Sequence, residues 1–212
     1  MKTTVIVNPC AGNGRTAKIW PNIESALKQS IGSFQTEETS CQGDAILLTR
    51  QALDAGATRI VAIGGDGHLN EVLNGFIEND VQLNPQASLS FVMSGTGCDF
   101  QRSLGMSGKW QAAVEKLKDA QIRQIDVGKV SYTAPDKTRK IRYFDNIASF
   151  GLSGAVDHYI DNSKLGKYLG GTMLFLWATI KTVFTHPNQT IRYSIDDGPQ
   201  EEIRTRLGLL AN

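Results

Sequence analysis

The sequence predicts an α/β protein in which an N-terminal lobe on a parallel sheet precedes a second, β-rich lobe. Up to residue 119, apolar strand patterns alternate with helical patterns in four strand–loop–helix units, which is typical of a parallel sheet. From Gln121 onward, period-2 strand patterns joined by polar turns replace this alternation. We therefore expect two domains, residues 1–120 and residues 121–212.

The first lobe has a regular succession of elements. The β-branched run Thr3–Val7 predicts a strand, and Ile19, Ile23 and Leu27 then recur at helical spacing. The same reasoning predicts strands at 33–36, 58–65 and 88–93, a helix from about Asp44, and a helix through 69–76. Helices between apolar strands indicate that the strands pair in parallel.

The second lobe begins with two strand candidates joined by a polar turn, at 121–132 and 137–151. We expect next a helix at about 165–184 and two strands, at 189–196 and 201–212, joined by a turn. The last strand runs to Asn212 with no cap or edge partner after it. We therefore expect the second lobe to be incomplete.

Composition excludes several classes of protein. With 22 basic and 21 acidic residues, the net charge of +1 gives no overall field for binding nucleic acid, and we expect none. The cysteines Cys10, Cys41 and Cys98 form no CxxC pair and follow no signal peptide, which predicts a reduced, cytoplasmic protein. The longest nearly uncharged run, Tyr168–Ile180, has 13 residues and is too short to span a bilayer.

Three loops at strand ends are candidates for binding phosphate. They are Asn8–Arg15, Gly64–Glu71 and Ser94–Phe100, and each places small residues at or just before a helix start. Free backbone N–H groups there favour an anion, and the missing Cβ atoms allow close approach. A tight turn explains a single glycine pair equally well. Three such loops at successive strand ends predict a polyphosphate site.

Asp66 is the first catalytic candidate because it lies between glycines in the second loop. A carboxylate beside a phosphate site can bind Mg²⁺ or accept a proton from an attacking hydroxyl. The alternative is that Asp66 caps the following helix. Glu71, in the next turn, has the corresponding alternative of a favourable interaction with the helix dipole.

Other nucleotide and catalytic motifs are weak or absent. The segment Gly12–Ala17 matches a dinucleotide fingerprint and leaves that fold open, but four residues separate it from the preceding strand. The sequence contains no GxxxxGK[ST] and no GxSxG. His68, His158 and His186 lie far apart without a metal-binding motif, so no transition-metal site is expected.

The motifs NPxxG, TSCQGDA, GGDGHLNEVLNG and GTGCDFQRSLG together resemble the diacylglycerol kinase catalytic-domain family, which includes bacterial lipid kinases and sphingosine kinases. The later segment DNIASFGLSGAV is similar to the start of that family's second lobe. The resemblance implies a nucleotide-binding lobe akin to those of NAD kinases and phosphofructokinases. It also implies transfer of the γ-phosphate of Mg-ATP to a lipid hydroxyl, with diacylglycerol as the preferred acceptor. One alternative is a kinase that uses a sphingoid base or NAD as acceptor. Another is a nucleotide-binding remnant without efficient catalysis.

The resemblance also implies roles for single residues. The nucleotide would contact Asn8, Pro9, Cys10, Ala11, Gly12 and Thr39. Its phosphates and Mg²⁺ would contact Gly64, Gly65, Asp66, Gly67, His68, Leu69, Asn70 and Glu71. Gly95 and Thr96 would close the site, and Asp66 would serve the metal or the acceptor hydroxyl.

The sequence departs from the family pattern at several points. His68 stands where Thr is most usual, Met93 where Pro is usual, and Cys98 where Asn is usual. The family's late acidic motif, which supplies a base and metal-linked carboxylates, would come after Asn212. These departures support the alternative of a remnant that binds nucleotide but catalyses poorly.

The predicted helix of the second lobe is apolar over much of its surface. Leu165, Leu169, Met173, Leu176 and Ile180 form one stripe, and Tyr168, Phe175, Trp177 and Val183 extend it. The helix either packs on the β-rich lobe or rests on a bilayer, with Lys164, Lys167 and Lys181 nearby. We expect a lipid acceptor at a membrane surface and peripheral membrane contact, and leave a homodimer open.

Overall fold

The computed structural model describes residues 1–106, 108–163 and 171–212. These residues form two compact units, Met1–Asn146 together with Asn212, and Ile147–Ala211. The helices are α1 (Ala11–Ile31), α2 (Asp44–Asp54), α3 (Asp66–Phe76), α4 (Asp99–Ser103), α5 (Trp110–Lys118), α6 (Leu152–Asn162) and α7 (Gly171–Thr185). The strands are β1 (Thr3–Val7), β2 (Gln35–Glu38), β3 (Arg59–Gly64), β4 (Ile77–Glu78), β5 (Val81–Gln82), β6 (Ser88–Met93), β7 (Gly128–Thr133), β8 (Arg139–Phe144), β9 (Ile147–Gly151), β10 (Gln189–Tyr193), β11 (Glu201–Thr205) and β12 (Leu207–Ala211).

A four-stranded parallel sheet in the order β2-β1-β3-β6 forms the centre of the first unit. Successive side chains of a strand point to opposite faces, and the central strands β1 and β3 are buried on both. Ile6 and Ile60 pack in one apolar cluster with residues of α2 and α3. Val5 and Val61 pack in the other with residues of α1 and α5. The predicted α/β class and parallel sheet are confirmed.

Two antiparallel hairpins complete the first unit, β4–β5 and β7–β8. The second hairpin packs on α3 through Tyr143, which is buried and accepts hydrogen bonds at its carbonyl oxygen from the side-chain amides of Asn70 and Asn74, both at 2.9 Å. This contact explains why the first unit extends to Asn146. The predicted domain boundary after residue 120 stays a prediction.

The described part of the second unit contains two antiparallel strand pairs and two helices. β9 pairs with β12, β10 pairs with β11, and α6 packs against α7. Leu174, Ala178 and Thr182 form the buried stripe of α7, at the i, i+4 and i+8 positions. Among the described residues, no helix is both long enough and apolar enough to cross a membrane.

Several predicted elements have different limits in the structure. β2 begins at Gln35 and β7 at Gly128, later than expected, and the hairpin β4–β5 was not predicted. The predicted strand at 137–151 is two strands, and the one at 201–212 is two strands separated at Arg206. Of the predicted helix at 165–184, residues 165–170 lie outside the described residues.

The break at Arg206 has a clear physical cause. Its carbonyl oxygen accepts a hydrogen bond from the Leu152 N–H at 2.7 Å, and its guanidinium donates to Asn188 and to the Val183 carbonyl. Gly151 has φ +82°, and a Cβ there would lie 2.4 Å from the Arg206 oxygen. The chain therefore turns at Gly151 into α6, which was not predicted. The last strand, β12, pairs with β9 along its full length, and the expectation of an incomplete second lobe stays a prediction.

Candidate functional site

The three predicted phosphate loops emerge at the same edge of the parallel sheet, because β1, β3 and β6 are neighbours in it. The Asn8 N–H donates to the Ile63 carbonyl at 2.9 Å, and the Ser94 N–H donates to the Gly64 carbonyl at 2.7 Å. These two bonds continue the strand pairing into the loops. The carboxyl ends of parallel strands are where such sheets bind ligands.

Glycines allow the loops to pack directly against one another. Gly12 has φ +61°, and a Cβ there would lie 2.8 Å from the Ser94 carbonyl oxygen. A Cβ on Gly95 would lie 2.6 Å from the Cα of Gly65, closer than real Cβ contacts allow. The Oγ atoms of Thr16 and Ser94 are hydrogen-bonded at 2.6 Å in a buried position. The glycines therefore have a packing role at this edge in addition to the predicted role in phosphate binding.

Asp66 links the second loop to the third. Its Oδ2 accepts a hydrogen bond from the Cys98 N–H at 2.7 Å, and its Oδ1 accepts one from the Phe100 N–H at 3.2 Å. Gly65 is the N-cap of α3, so the alternative that Asp66 caps its own helix is replaced by a bond to the start of α4. Two backbone donors thus fix the orientation of this carboxylate.

Asp145 is a second carboxyl that interacts electrostatically with Asp66, and sequence reasoning missed it. The Asp145 side chain is half-buried, and burial raises its pKa above the usual range. The negative charge of Asp66 raises the pKa of Asp145 further. The sequence offered no signal for this pair, because 79 positions separate the two residues.

A cavity of about 400 Å³ lies at the same edge of the sheet. It is lined by Asn8, Cys10, Thr39, Ser40, Cys41, Gln42, Gly67, His68, Asn70, Glu71 and Arg142. Seven of these residues were predicted to bind nucleotide, phosphate or metal. Ser40, Cys41, Gln42 and Arg142 were missed, although the first three directly follow the predicted residue Thr39.

The remaining predicted residues lie outside the lining of this cavity. They are Pro9, Ala11, Gly12, Gly64, Gly65, Asp66, Leu69, Gly95 and Thr96. Leu69 is only 1% exposed and packs in the apolar core, so its side chain stabilises the fold. Gly65 and Gly95 form the close loop contact described above, and Thr96 is exposed.

One wall of the cavity is fixed by two carboxylates. Asp44 accepts hydrogen bonds from the N–H and hydroxyl of Ser40 and from the N–H of Cys41, and these donors hold the pKa of Asp44 far below its usual range. The hydrogen bond between the Cys41 side chain and Asp44, together with the negative charge of Asp44, raises the pKa of the Cys41 thiol and keeps the thiol protonated. Both carboxylate oxygens of Glu71 accept from the Gly43 N–H, at 3.0 Å each. Glu71 thereby ties α3 to the start of α2.

His68 is 5% exposed and packs over Gly64, where a Cβ would lie 2.7 Å from its ring. Burial lowers the pKa of His68, so the imidazole is neutral. Its Nε2 lies 3.0 Å from the Ile6 carbonyl oxygen, and since that oxygen can only accept, Nε2 carries the proton. Only an acceptor remains at Nδ1, so His68 cannot donate to a phosphate as a Thr hydroxyl could.

The model of the diacylglycerol kinase catalytic domain matches residues 2–130, which is more than half of the chain. The chain belongs to the diacylglycerol kinase catalytic-domain family. The matched range includes the parallel sheet, its three glycine loops and Asp66. The resemblance noted from the sequence motifs is thereby confirmed.

Relatives in this family carry consistent names. The chain is 32% identical over 166 residues to a diacylglycerol kinase of Staphylococcus haemolyticus, covering 78% of the chain and 46% of that protein. It is 28% identical over 180 residues to a Chromohalobacter salexigens protein named "Probable lipid kinase YegS-like", covering 84% and 54%. The chain therefore spans about half the length of the curated relatives it matches.

Solved structures of the family agree with the fold. Two crystal structures of Bacillus anthracis proteins described as diacylglycerol kinases match all of this chain and 64% of their own chains. Their TM-scores are 0.71 and 0.69, at 25% and 22% sequence identity. The kinase family and its α/β fold are thus shown for this chain.

Proposed function

We propose that the protein is an ATP-dependent lipid kinase that transfers the γ-phosphate of Mg-ATP to a lipid hydroxyl, with diacylglycerol as the first acceptor. The observation that carries this proposal is the cavity at the strand ends of a diacylglycerol kinase catalytic domain, beside three mutually packed glycine loops. The proposed ATP lies in this cavity. The names of the relatives support a lipid acceptor.

Positioning and electrostatics would provide most of the catalysis, as in other phosphoryl transfers. Asp66 is oriented by the N–H groups of Cys98 and Phe100, and each of its oxygens keeps a second lone pair for a metal or a proton. Mg²⁺, when bound, would neutralise part of the phosphate charge. Mg²⁺ commonly binds one or two carboxylates together with substrate phosphates, and Asp66 would supply one of them.

The lipid would reach the protein at a membrane surface. α7 exposes Met173, Phe175, Leu176, Trp177, Ile180, Val183 and Phe184. An amphipathic Trp beside aliphatic side chains is typical of a helix at a bilayer interface. Lys181 lies 4.5 Å from the centre of the Tyr159 ring, whereas Lys164 and Lys167 lie outside the described residues. A homodimer stays a prediction.

The test is transfer of labelled γ-phosphate from Mg-ATP to three acceptors in parallel: diacylglycerol in mixed micelles, a sphingoid base and NAD. We expect label in phosphatidate and none in the other two products. Label in sphingoid-base phosphate or in NADP alone would replace diacylglycerol as the acceptor. Tight ATP binding without transfer to any acceptor would support the alternative that the protein is a nucleotide-binding remnant without efficient catalysis.

A further inference from the structure

Arg142 is the only cationic side chain among the described residues that line the cavity. It is half-buried on β8, and its guanidinium makes no hydrogen bond or ion pair with any residue that the structure describes. A partly desolvated guanidinium without a partner is costly unless an anion binds it. The free donors of Arg142 are therefore available to a ligand in the cavity.

Three acidic side chains near β8 already have partners. Glu71, on the wall of the same cavity, accepts from the Gly43 N–H. Glu78 pairs with Arg50 at 2.8 Å, and Asp80 pairs with Lys129 at 2.6 Å. None of these carboxylates is the counter-ion of Arg142. Arg142 therefore has no ion-pair partner among the described residues, and an anion in the cavity would supply one.

A network of hydrogen bonds fixes the position of Arg142 through the next residue, Tyr143. The Tyr143 N–H donates to Asn74 Oδ1 at 2.9 Å, and its carbonyl accepts from the amides of Asn70 and Asn74. The Tyr143 hydroxyl donates to Asp80 at 2.8 Å and accepts from the Asp80 N–H at 3.0 Å. Both ends of Tyr143 are thus held, and α3 carries Asn70 on the wall of the cavity. Arg142 is presented to the cavity by a rigid support.

We propose that Arg142 binds the phosphate chain of the nucleotide, so that β8 forms part of the ATP site. This proposal rests on the proposed function, which places ATP in the cavity. Guanidinium matches phosphate oxygens with two parallel hydrogen bonds, whereas the ammonium of Lys acts as a point charge. The anionic headgroup of a lipid offers the same oxygens, and the experiment separates the two sources.

The experiment compares binding of ATP and adenosine to the wild-type protein and to Arg142→Gln and Arg142→Lys by calorimetry. We expect Arg142→Gln to weaken ATP binding at least about tenfold and to leave adenosine binding unchanged, because only ATP carries phosphate. Arg142→Lys should lie between them. Lys140→Gln, on the same strand and exposed, is the matched control and should bind ATP as the wild type does. Binding to phosphatidylglycerol vesicles should be unchanged in Arg142→Gln.

The possible results separate the proposal for Arg142 from the proposed function. If wild-type protein binds ATP and Arg142→Gln binds it equally well, the proposal for Arg142 is wrong and the proposed function stands. Equal losses for ATP and adenosine would assign Arg142 a structural role and overturn the proposal. Loss of vesicle binding with intact ATP binding would assign Arg142 to the lipid headgroup. A wild-type protein that binds neither ATP nor adenosine would overturn the proposed function as well.

Discussion

Replacement of Asp66 by Ala is expected to lower the rate of phosphate transfer by about 10²- to 10⁴-fold, the range of a lost acid–base or metal-linked carboxylate. The reason is that Asp66 is held by the Cys98 and Phe100 N–H groups at the edge where the glycine loops meet. The measurement is the initial rate of label transfer from Mg-ATP to diacylglycerol, with ATP and lipid both saturating.

The hydrogen bonds of Asp66 require a second variant, because Ala also leaves two backbone donors without their acceptor. Asp66→Asn keeps a side-chain oxygen for one of them and removes the charge. We expect its rate to fall nearly as far as that of Asp66→Ala, with a smaller loss of thermal stability. Asp54→Asn, at the exposed end of α2, is the control and should transfer at the wild-type rate. Turnover retained in Asp66→Asn would remove this residue from the mechanism.

Replacement of Phe175 and Trp177 together by Ser is expected to abolish most binding to liposomes. The two side chains are 56% and 51% exposed on α7, so their substitution leaves the buried stripe of Leu174, Ala178 and Thr182 intact. Loss of their insertion corresponds to about 2 kcal/mol, or roughly thirtyfold in the partition coefficient. Sedimentation with liposomes across a range of lipid concentrations measures it.

The control for this experiment is Leu47→Ser, because Leu47 is 58% exposed on α2 and belongs to the first unit. We expect Leu47→Ser to sediment as the wild type does. Circular dichroism and melting temperature should be the same for all three proteins. Unchanged sedimentation of the double variant would rule out the interfacial role of α7 and favour its packing against protein.

Local sequence patterns predicted β1 and β3 well because these strands are buried on both faces. Continuous apolar runs such as that ending at Gly64 are recognisable without any tertiary information. The second half was predicted less well because its strands are short and mostly exposed. The breaks at Gly151 and Arg206 depend on a contact between the two residues, and no local pattern records that contact.

The candidate site was likewise predicted only where local sequence patterns indicate it. Asp66 and the glycine loops were predicted from spacing after strands, whereas Arg142 comes from a distant position that tertiary structure brings to the cavity. Glu71 was expected to contact phosphate or metal, yet its carboxylate accepts from the Gly43 N–H. Sequence spacing indicates which residues reach a site. It does not reveal which of them the fold already uses for its own hydrogen bonds.

The central claim is that ATP occupies the cavity of the first unit, and thiol alkylation tests it most directly. Cys10 and Cys41 are exposed and line the cavity, whereas Cys98 does not. Iodoacetamide modification of each thiol, followed by mass spectrometry with and without saturating Mg-ATP, reports on occupancy. We predict that Mg-ATP slows modification of Cys10 and Cys41, with the rates compared at an alkaline pH at which both thiols ionise. Unchanged rates at Cys10 and Cys41 with ATP bound would contradict the placement of the nucleotide in this cavity.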